Sequence, residues 1–96
     1  MKIVGGQYGC RAVRELRQYF TAYGPIEFTI NQEEGRLVAV SSNFRHGSIV
    51  THGSTSQELD QNIEDAILTA FDVPAVYKHQ ARPRRLNSGE PRYAVA

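Results

Sequence analysis

The chain has few of the residues that mark specialised classes of protein. Its 96 residues include one cysteine, one methionine and no tryptophan. A single thiol, Cys10, excludes an intrachain disulfide and every multi-thiolate metal site, and it is typical of a reducing compartment. No apolar run approaches the length of a membrane span, and the four residues before Gly5 are too few for the apolar region of a signal peptide. We therefore expect a cytoplasmic protein that is not embedded in a membrane.

Net charge is also nearly absent. The formal net charge is +1 and the pI is about 7.9, so the molecule as a whole is not built to bind a polyanion. The hydrophobic fraction of 41% and the charged fraction of 22% are ordinary for a folded domain, and this length suffices for one modest core. Any electrostatic function must therefore depend on where the charges lie.

Two segments have the apolar spacing of amphipathic helices. In residues 10–23 apolar side chains recur at intervals of three and four, and a Gly-Pro pair ends the pattern. The same spacing occurs in residues 56–71, where Thr55 begins a capping-box pattern and Glu58 is expected to reach back to the Thr55 amide. The first helix carries arginines on its outer side, and the second carries carboxylates. Two helices of opposite outer charge are therefore predicted.

Short β-rich runs surround these helices. The predicted strands are 1–4 ("MKIV"), 26–30 ("IEFTI"), 36–42 ("RLVAVSS"), 47–53 ("GSIVTHG") and 75–79 ("AVYKH"). The resulting order, β-α-β-β-β-α-β, predicts an α+β fold with an antiparallel sheet of three to five strands and two amphipathic helices. A ferredoxin-like fold competes if one middle strand is an insertion, but the aromatic stacking pair of its RNA-binding forms is absent.

The composition changes at Gln80. Residues 80–96 carry four arginines against one acid, with two prolines and no period. We expect residues 1–79 to form a single domain and residues 80–96 to form a basic tail that is extended or mobile. Its charge partner is either the carboxylate face of the second helix or a foreign acidic surface. Truncation after His79 is then expected to cost little stability unless "RYAVA" completes the sheet.

The residue patterns of catalysis and of cofactor binding are missing. The histidines, His46, His52 and His79, lack further ligands at zinc-site spacing. No carboxylate pair lies in an apolar setting, and no serine lies in a nucleophile-elbow motif. The run "GGQYG" (5–9) matches neither the P-loop nor the Rossmann fingerprint, so a flexible turn is favoured there. We expect no enzymatic activity, no cofactor and no metal.

Residues 28–67 resemble the partial RNase H-like domain of HicB-type antitoxins. That family has two strands around an acidic-glycine turn, a third strand, a G-x-T motif and a helix with acidic and apolar residues. The matching positions are Glu34-Gly35, Val38-Ala39, Gly53 with Thr55, Glu58-Leu59, Asn62-Ile63 and Ala66-Ile67. The chain departs from the family in having "FRHG" where a P-G-C loop is usual, and no DNA-binding domain follows the core. The resemblance implies a dimer that binds another protein, and it implies neither nuclease activity nor DNA autoregulation.

These observations favour a small non-enzymatic protein that neutralises or regulates a partner protein, in the manner of an antitoxin or a phage-encoded inhibitor. The residues expected to bind that partner are Arg11, Arg14, Arg17, Arg82, Arg84 and Arg85. A nucleic-acid-binding protein that uses the same arginines is an alternative, and a small-anion or nucleotide binder at the Gly5–Gly9 turn is another. A homodimer is also expected, because a small sheet has edges that must be paired or blocked.

Overall fold

The structure, a computed structural model, describes residues 4–86 and 90–95, and for residues 4–10 only the path of the backbone. Its elements are α1 (Val4–Tyr23), β1 (Ile26–Glu33), β2 (Arg36–Ser41), β3 (Val50–Gly53), α2 (Ser56–Ala70), a 3-10 helix (Ala75–Gln80), β4 (Arg84–Arg85) and β5 (Arg92–Ala94). The strands form one five-stranded antiparallel sheet in the order β3-β2-β1-β5-β4. The predicted α+β class is therefore confirmed. None of the helices described has the length and apolar character that crossing a membrane requires.

Helix α1 begins earlier than the sequence predicts. Residues 10–23 are helical as expected, but the helix already starts at Val4 and includes residues 5–9. The predicted turn at 5–9 is therefore wrong, as is the strand assignment of Val4, and residues 1–3 of that strand lie outside the described residues. Helix propagation adds one hydrogen bond for each residue that it orders, and here it outweighs the cost of about 0.5–1 kcal/mol for each glycine.

The core lies between the two helices and one face of the sheet. The strands alternate buried and exposed positions, so Ile26 and Phe28 of β1 and Ala39 of β2 point inward. The helix residues that cover them are Val13, Leu16, Tyr19 and Phe20 of α1 and Leu59, Ile63, Ile67 and Leu68 of α2. Each predicted apolar stripe thus faces the sheet.

Two predicted local motifs are present with small differences. The β1-β2 hairpin turns at Glu34 and Gly35, both of which have positive φ (51° and 81°), as tight hairpin turns require. At the start of α2 the Thr55 hydroxyl accepts a hydrogen bond from the Glu58 amide at 3.0 Å. The Glu58 carboxylate accepts from the amide of Ser54, not from that of Thr55. The cap therefore spans one more residue than expected.

The predicted strand at residues 75–79 is wrong, because Ala75–Gln80 form a 3-10 helix. Val73 is buried immediately before this helix, whereas Val76 within it is exposed. A strand at this point would need an open sheet edge. The position beside the first half of β1 is already occupied by β5, whose Tyr93 lies opposite Ile26. The 3-10 helix instead packs Tyr77 against the core and lets Lys78 pair with Asp65 of α2.

The C-terminal segment is part of the sheet. Residues 84–85 and 92–94, predicted to be extended or mobile without regular structure, form β4 and β5. Strand β5 pairs with β1 on one side and with β4 on the other, so it is an interior strand. Tyr93 is 1% exposed, and Ala81 and Pro83 are also buried. The condition under which this segment would be structural, completion of the sheet by "RYAVA", is met by residues 92–94.

Candidate functional site

The carboxylate face of α2 binds the C-terminal part of the chain. The Arg82 guanidinium lies 3.0 Å from Glu64, and the Lys78 ammonium lies 3.0 Å from Asp65. The Tyr93 hydroxyl donates to Asp60 at 2.5 Å. The acidic partner expected for the basic segment is therefore found within the chain, and these three contacts attach α2 to the segment that follows it.

Burial changes the protonation behaviour of this contact region. The Glu64 side chain is 15% exposed, and its desolvation raises the pKa of that carboxyl more than the hydrogen bond from Arg82 lowers it. Burial and the neighbouring Asp60 carboxylate raise the pKa of Tyr93 as well. The phenol therefore stays protonated at neutral pH and donates to Asp60. This network acts as structural support for β5.

The predicted partner-binding arginines do not form one surface. Arg82 is paired with Glu64, and the Nε atom of Arg85 donates to the backbone oxygen of Glu90 at 3.2 Å. Arg84 is exposed on the edge strand β4. Of Arg82, Arg84 and Arg85, Arg84 is thus the one without a side-chain hydrogen bond or ion pair to any residue that the structure describes.

The arginines of α1 lie on the solvent side of the helix, as predicted. Arg11 is 3.4 Å from Glu15 one helical turn later, in an exposed pair of little energetic weight. Arg17 donates to the backbone oxygen of Gln80 and so joins α1 to the end of the 3-10 helix. Arg14 is exposed and contacts none of the side chains that the structure describes through a hydrogen bond or ion pair. It is therefore available to a partner.

A groove of about 470 Å³ runs beside these arginines. We call it the basic groove, and its lining is Val13, Arg14, Arg17, Gln18, Thr21, Ala22 and Gln80. Val13 and Ala22 supply apolar surface, whereas the two arginines supply positive charge and planar arrays of donors. Such a groove fits a chain segment that carries both a carboxylate and an apolar side chain.

A second depression, of about 510 Å³, lies where α1 and α2 end. We call it the aromatic pocket, and its lining is Glu15, Gln18, Tyr19, Ala22, Tyr23, His46, Ala70, Phe71 and Asp72. The Tyr19 ring is central, with centroids at 4.9 Å from Tyr23 and 5.4 Å from both His46 and Phe71. The Tyr19 hydroxyl accepts from the Arg45 amide at 3.1 Å, which holds the loop between β2 and β3 against the helix.

The sequence interpretation missed the aromatic pocket. The helical spacing places Tyr19, Tyr23 and Phe71 on apolar stripes that predict burial, and nothing in the sequence distinguishes His46 from a surface histidine. One feature of the sequence does point to the pocket. Tyr23 and Phe71 are the last apolar residues of the two helical patterns, and an apolar side chain at a helix end can extend beyond the core. Tyr23 is indeed 49% exposed.

Other expected sites have less support. The small-anion alternative depended on a turn at residues 5–9, and it loses its structural basis because these residues are helical. Within residues 11–86 and 90–95, no three His, Cys, Asp or Glu side chains are grouped to hold a metal ion.

No protein-family model, curated protein or solved structure matches this chain. The resemblance to HicB-type antitoxins therefore stays a prediction.

Proposed function

We propose that this protein is a small non-enzymatic binding protein that neutralises or regulates a partner protein, and that its basic groove holds an acidic segment of that partner. The observation that carries the proposal is the exposed Arg14 guanidinium, which lies beside the apolar surface of Val13 and Ala22. Arg17 is held in place by the backbone oxygen of Gln80, so part of the groove is preorganised before binding.

The distribution of charge favours a protein partner over nucleic acid. A nucleic-acid site of ordinary affinity makes about 6–10 phosphate contacts. Arg82 and Arg85 are engaged within the chain, which leaves the α1 arginines and Arg84 as the exposed members of the predicted set. These arginines are too few to contact that many phosphates. One or two arginines are enough, however, to position a segment that carries a carboxylate.

Reversing the charge of Arg14 tests the proposal. The variant Arg14→Glu should lower affinity for the partner at least about tenfold, because a carboxylate would then face the acidic segment. The measurement is recovery of the partner from host lysate by the immobilised protein, followed by titration calorimetry with the purified partner. The matched control is Arg36→Glu, which makes the same charge change at an exposed position of the distant β1-β2 hairpin.

Nuclease treatment separates this function from the nucleic-acid alternative. Capture of a stoichiometric protein that survives nuclease, and that is lost with Arg14→Glu but not with Arg36→Glu, supports the proposal. Loss of all captured material after nuclease, together with a steep fall in binding between low and moderate salt, supports nucleic acid instead. Equal capture by both variants would show that the basic groove is not the binding surface.

We also propose that the chain forms a homodimer through the outer face of its sheet. Val38, Val40 and Val50 lie side by side on this face, and none of the three packs against the core. Val50 is 62% exposed on the edge strand β3. Their neighbours across the strands are the uncharged residues Thr29, Asn31 and His52. The charged residues of the same face stand opposite one another in pairs, Glu27 with Arg92 and Glu33 with Arg36. The uncharged strip between them can pair with its own copy without burying an unpaired charge.

The substitution Val40→Lys should convert the dimer into a monomer, because two copies would place two ammonium groups within the interface. Light scattering at micromolar concentration should give the mass of two chains for the native protein and of one for the variant. Gln61→Lys, at an exposed position of α2, is the control and should stay dimeric. A native mass of one chain would refute the proposal.

A further inference from the structure

The aromatic pocket lies at the C-terminal ends of both main helices. Ala22 and Tyr23 belong to the last turn of α1, and Ala70 and Phe71 lie at the end of α2. Each helix end carries a partial negative charge of roughly half an elementary charge. Neither last turn contains a basic side chain, which is the usual way to offset it. The two helix ends therefore contribute a negative potential to the pocket, and a positive side chain, Arg45, lies on the Tyr23 ring.

Asp72 is an unusual residue for its position at the pocket. Its amide donates to Thr69 at 2.9 Å and the Val73 amide donates to Leu68 at 3.1 Å, which together form the Schellman ending of α2. Asp72 has φ of 58° at the site where glycine is usual, which is unfavourable for a residue with a Cβ atom. A negative charge at a helix C-terminus is also unfavourable, because it lies beside the negative end of the helix dipole.

No contact within the described part of the chain compensates for these two costs. Asp72 is exposed, and its carboxylate forms no hydrogen bond or ion pair with any described residue. Unfavourable local features that persist without internal compensation are concentrated at functional sites. The carboxylate lies at the edge of a concave aromatic surface and is not engaged by the described part of the chain, so it is open to a ligand.

The rings supply the second element of recognition. Tyr19, Tyr23, His46 and Phe71 all line the pocket, and cations bind over aromatic faces within about 6 Å of the ring centroid. The protein already makes one such contact, since the Arg45 guanidinium carbon lies 4.3 Å from the centre of the Tyr23 ring. The rim adds a second carboxylate, Glu15, which is paired with Arg11 at 3.4 Å.

We infer that the aromatic pocket binds an organic cation, that is, an ammonium or guanidinium group on an apolar stem. The rings hold the stem and the cation, Asp72 provides the counter-charge, and the two helix ends add to the attraction. The volume of about 510 Å³ lies within the usual range of small-ligand sites, about 300–1,000 Å³. The cation is carried either by a free amine or by a lysine or arginine side chain of a peptide. This pocket adjoins the basic groove, with which it shares Gln18 and Ala22, but its charged residues are the carboxylates of Glu15 and Asp72, whereas those of the groove are arginines.

Titration of the full chain with n-butylammonium, followed by NMR chemical shifts, tests the inference. Saturable shifts are expected at the amides of Tyr23, Phe71 and Asp72, and the neutral isostere n-butanol should cause much smaller ones. The variant Asp72→Asn keeps a residue that tolerates positive φ but removes the charge, and it should weaken binding about tenfold. Glu33→Gln, an exposed carboxylate on the distant hairpin, should bind as the native chain does.

A stability measurement distinguishes a ligand site from a structural one. Asp72→Gly removes both local costs, so it should raise the melting temperature by about 5–15 °C while abolishing the response to n-butylammonium. A fall in melting temperature would show that Asp72 supports the fold and would overturn the inference. Equal responses to amine and alcohol, or native affinity in Asp72→Asn, would also overturn it.

Two further measurements identify the molecule that carries the cation and test the aromatic pocket independently of the basic groove. A short peptide with one central lysine, compared with the same peptide containing norleucine, should bind at least tenfold more tightly than n-butylammonium if the ligand is a side chain. Equal affinity indicates a free amine. Arg14→Glu removes a positive charge from the adjoining groove, so it should not weaken n-butylammonium binding, whereas it should abolish partner binding. The two proposals can therefore fail independently.

Discussion

Replacing Tyr93 by alanine is expected to lower the free energy of unfolding by about 3–5 kcal/mol, which is the usual cost of truncating a buried aromatic side chain. The residue is 1% exposed, and its ring meets that of Phe28 edge to face at 5.7 Å. Its hydroxyl is hydrogen-bonded to Asp60 on α2. Since small domains have about 5–15 kcal/mol of stability in total, this single substitution removes a large fraction of it.

Graded variants separate the contributions of the ring, the hydroxyl and the strand. Tyr93→Phe keeps the ring and removes the bond to Asp60, so it should cost about 1–3 kcal/mol. Truncation after His79 removes β4 and β5 and should prevent stable folding, in contrast to the small loss that a mobile tail would give. Arg84→Ala, exposed in the same segment, should stay within about 0.5 kcal/mol of the native chain.

Chemical denaturation followed by circular dichroism measures all four variants. A loss below about 1 kcal/mol for Tyr93→Ala would mean that β5 is not an interior strand, because the removal of a buried ring cannot be so small. In that case the C-terminal segment would return to its predicted role as an independent basic tail.

Adding a single methyl group at Gly53 is expected to have the second large effect. An alanine Cβ there would lie 2.6 Å from the backbone nitrogen of Leu59 and 2.8 Å from its Cα atom. Both contacts are with backbone atoms, so no flexible side chain can move aside. Gly53→Ala should therefore destabilise the protein by about 3 kcal/mol, at the upper end of the range for overpacking.

The neighbouring substitution Ser54→Ala is the control for Gly53→Ala. Only the backbone amide of Ser54 is used by the helix cap, so removing its hydroxyl should change stability by less than about 0.5 kcal/mol. Melting curves of the two variants measure the difference directly. Native stability in Gly53→Ala would show that β3 and the start of α2 are not packed this closely. The result also bears on the G-x-T motif of residues 53–55. The backbone of Leu59 approaches Gly53 so closely that only glycine fits, and this explains the glycine without any relationship to HicB-type antitoxins.

The middle of the chain, residues 26–70, could be predicted from local patterns because its signals are strong and short in range. Alternation identified β1, a glycine turn located the hairpin, and the Thr55 cap located the start of α2. These features depend on residues within a few positions of one another. The helical stripe of residues 10–23 was equally clear. Propensity and periodicity therefore determined the α+β class and the face that each helix buries.

The ends of the chain and both candidate sites depended on contacts between residues far apart in sequence. Strand β5 has three residues and no period of its own, and it exists because Ile26 of β1 pairs with Tyr93 at the other end of the chain. Residues 75–80 form a 3-10 helix whose Lys78 pairs with Asp65 of α2, a contact that the local pattern of residues 75–79 does not indicate. The aromatic pocket likewise appears when the ends of two helices meet a loop. The sequence by itself determined the amphipathic elements, because their signals are periodic and local. Only the tertiary structure decided which arginines have no partner within the described chain and which aromatic rings line one pocket. Both outcomes depend on contacts between segments far apart in sequence, and such contacts are set by the packing context and not by local propensity.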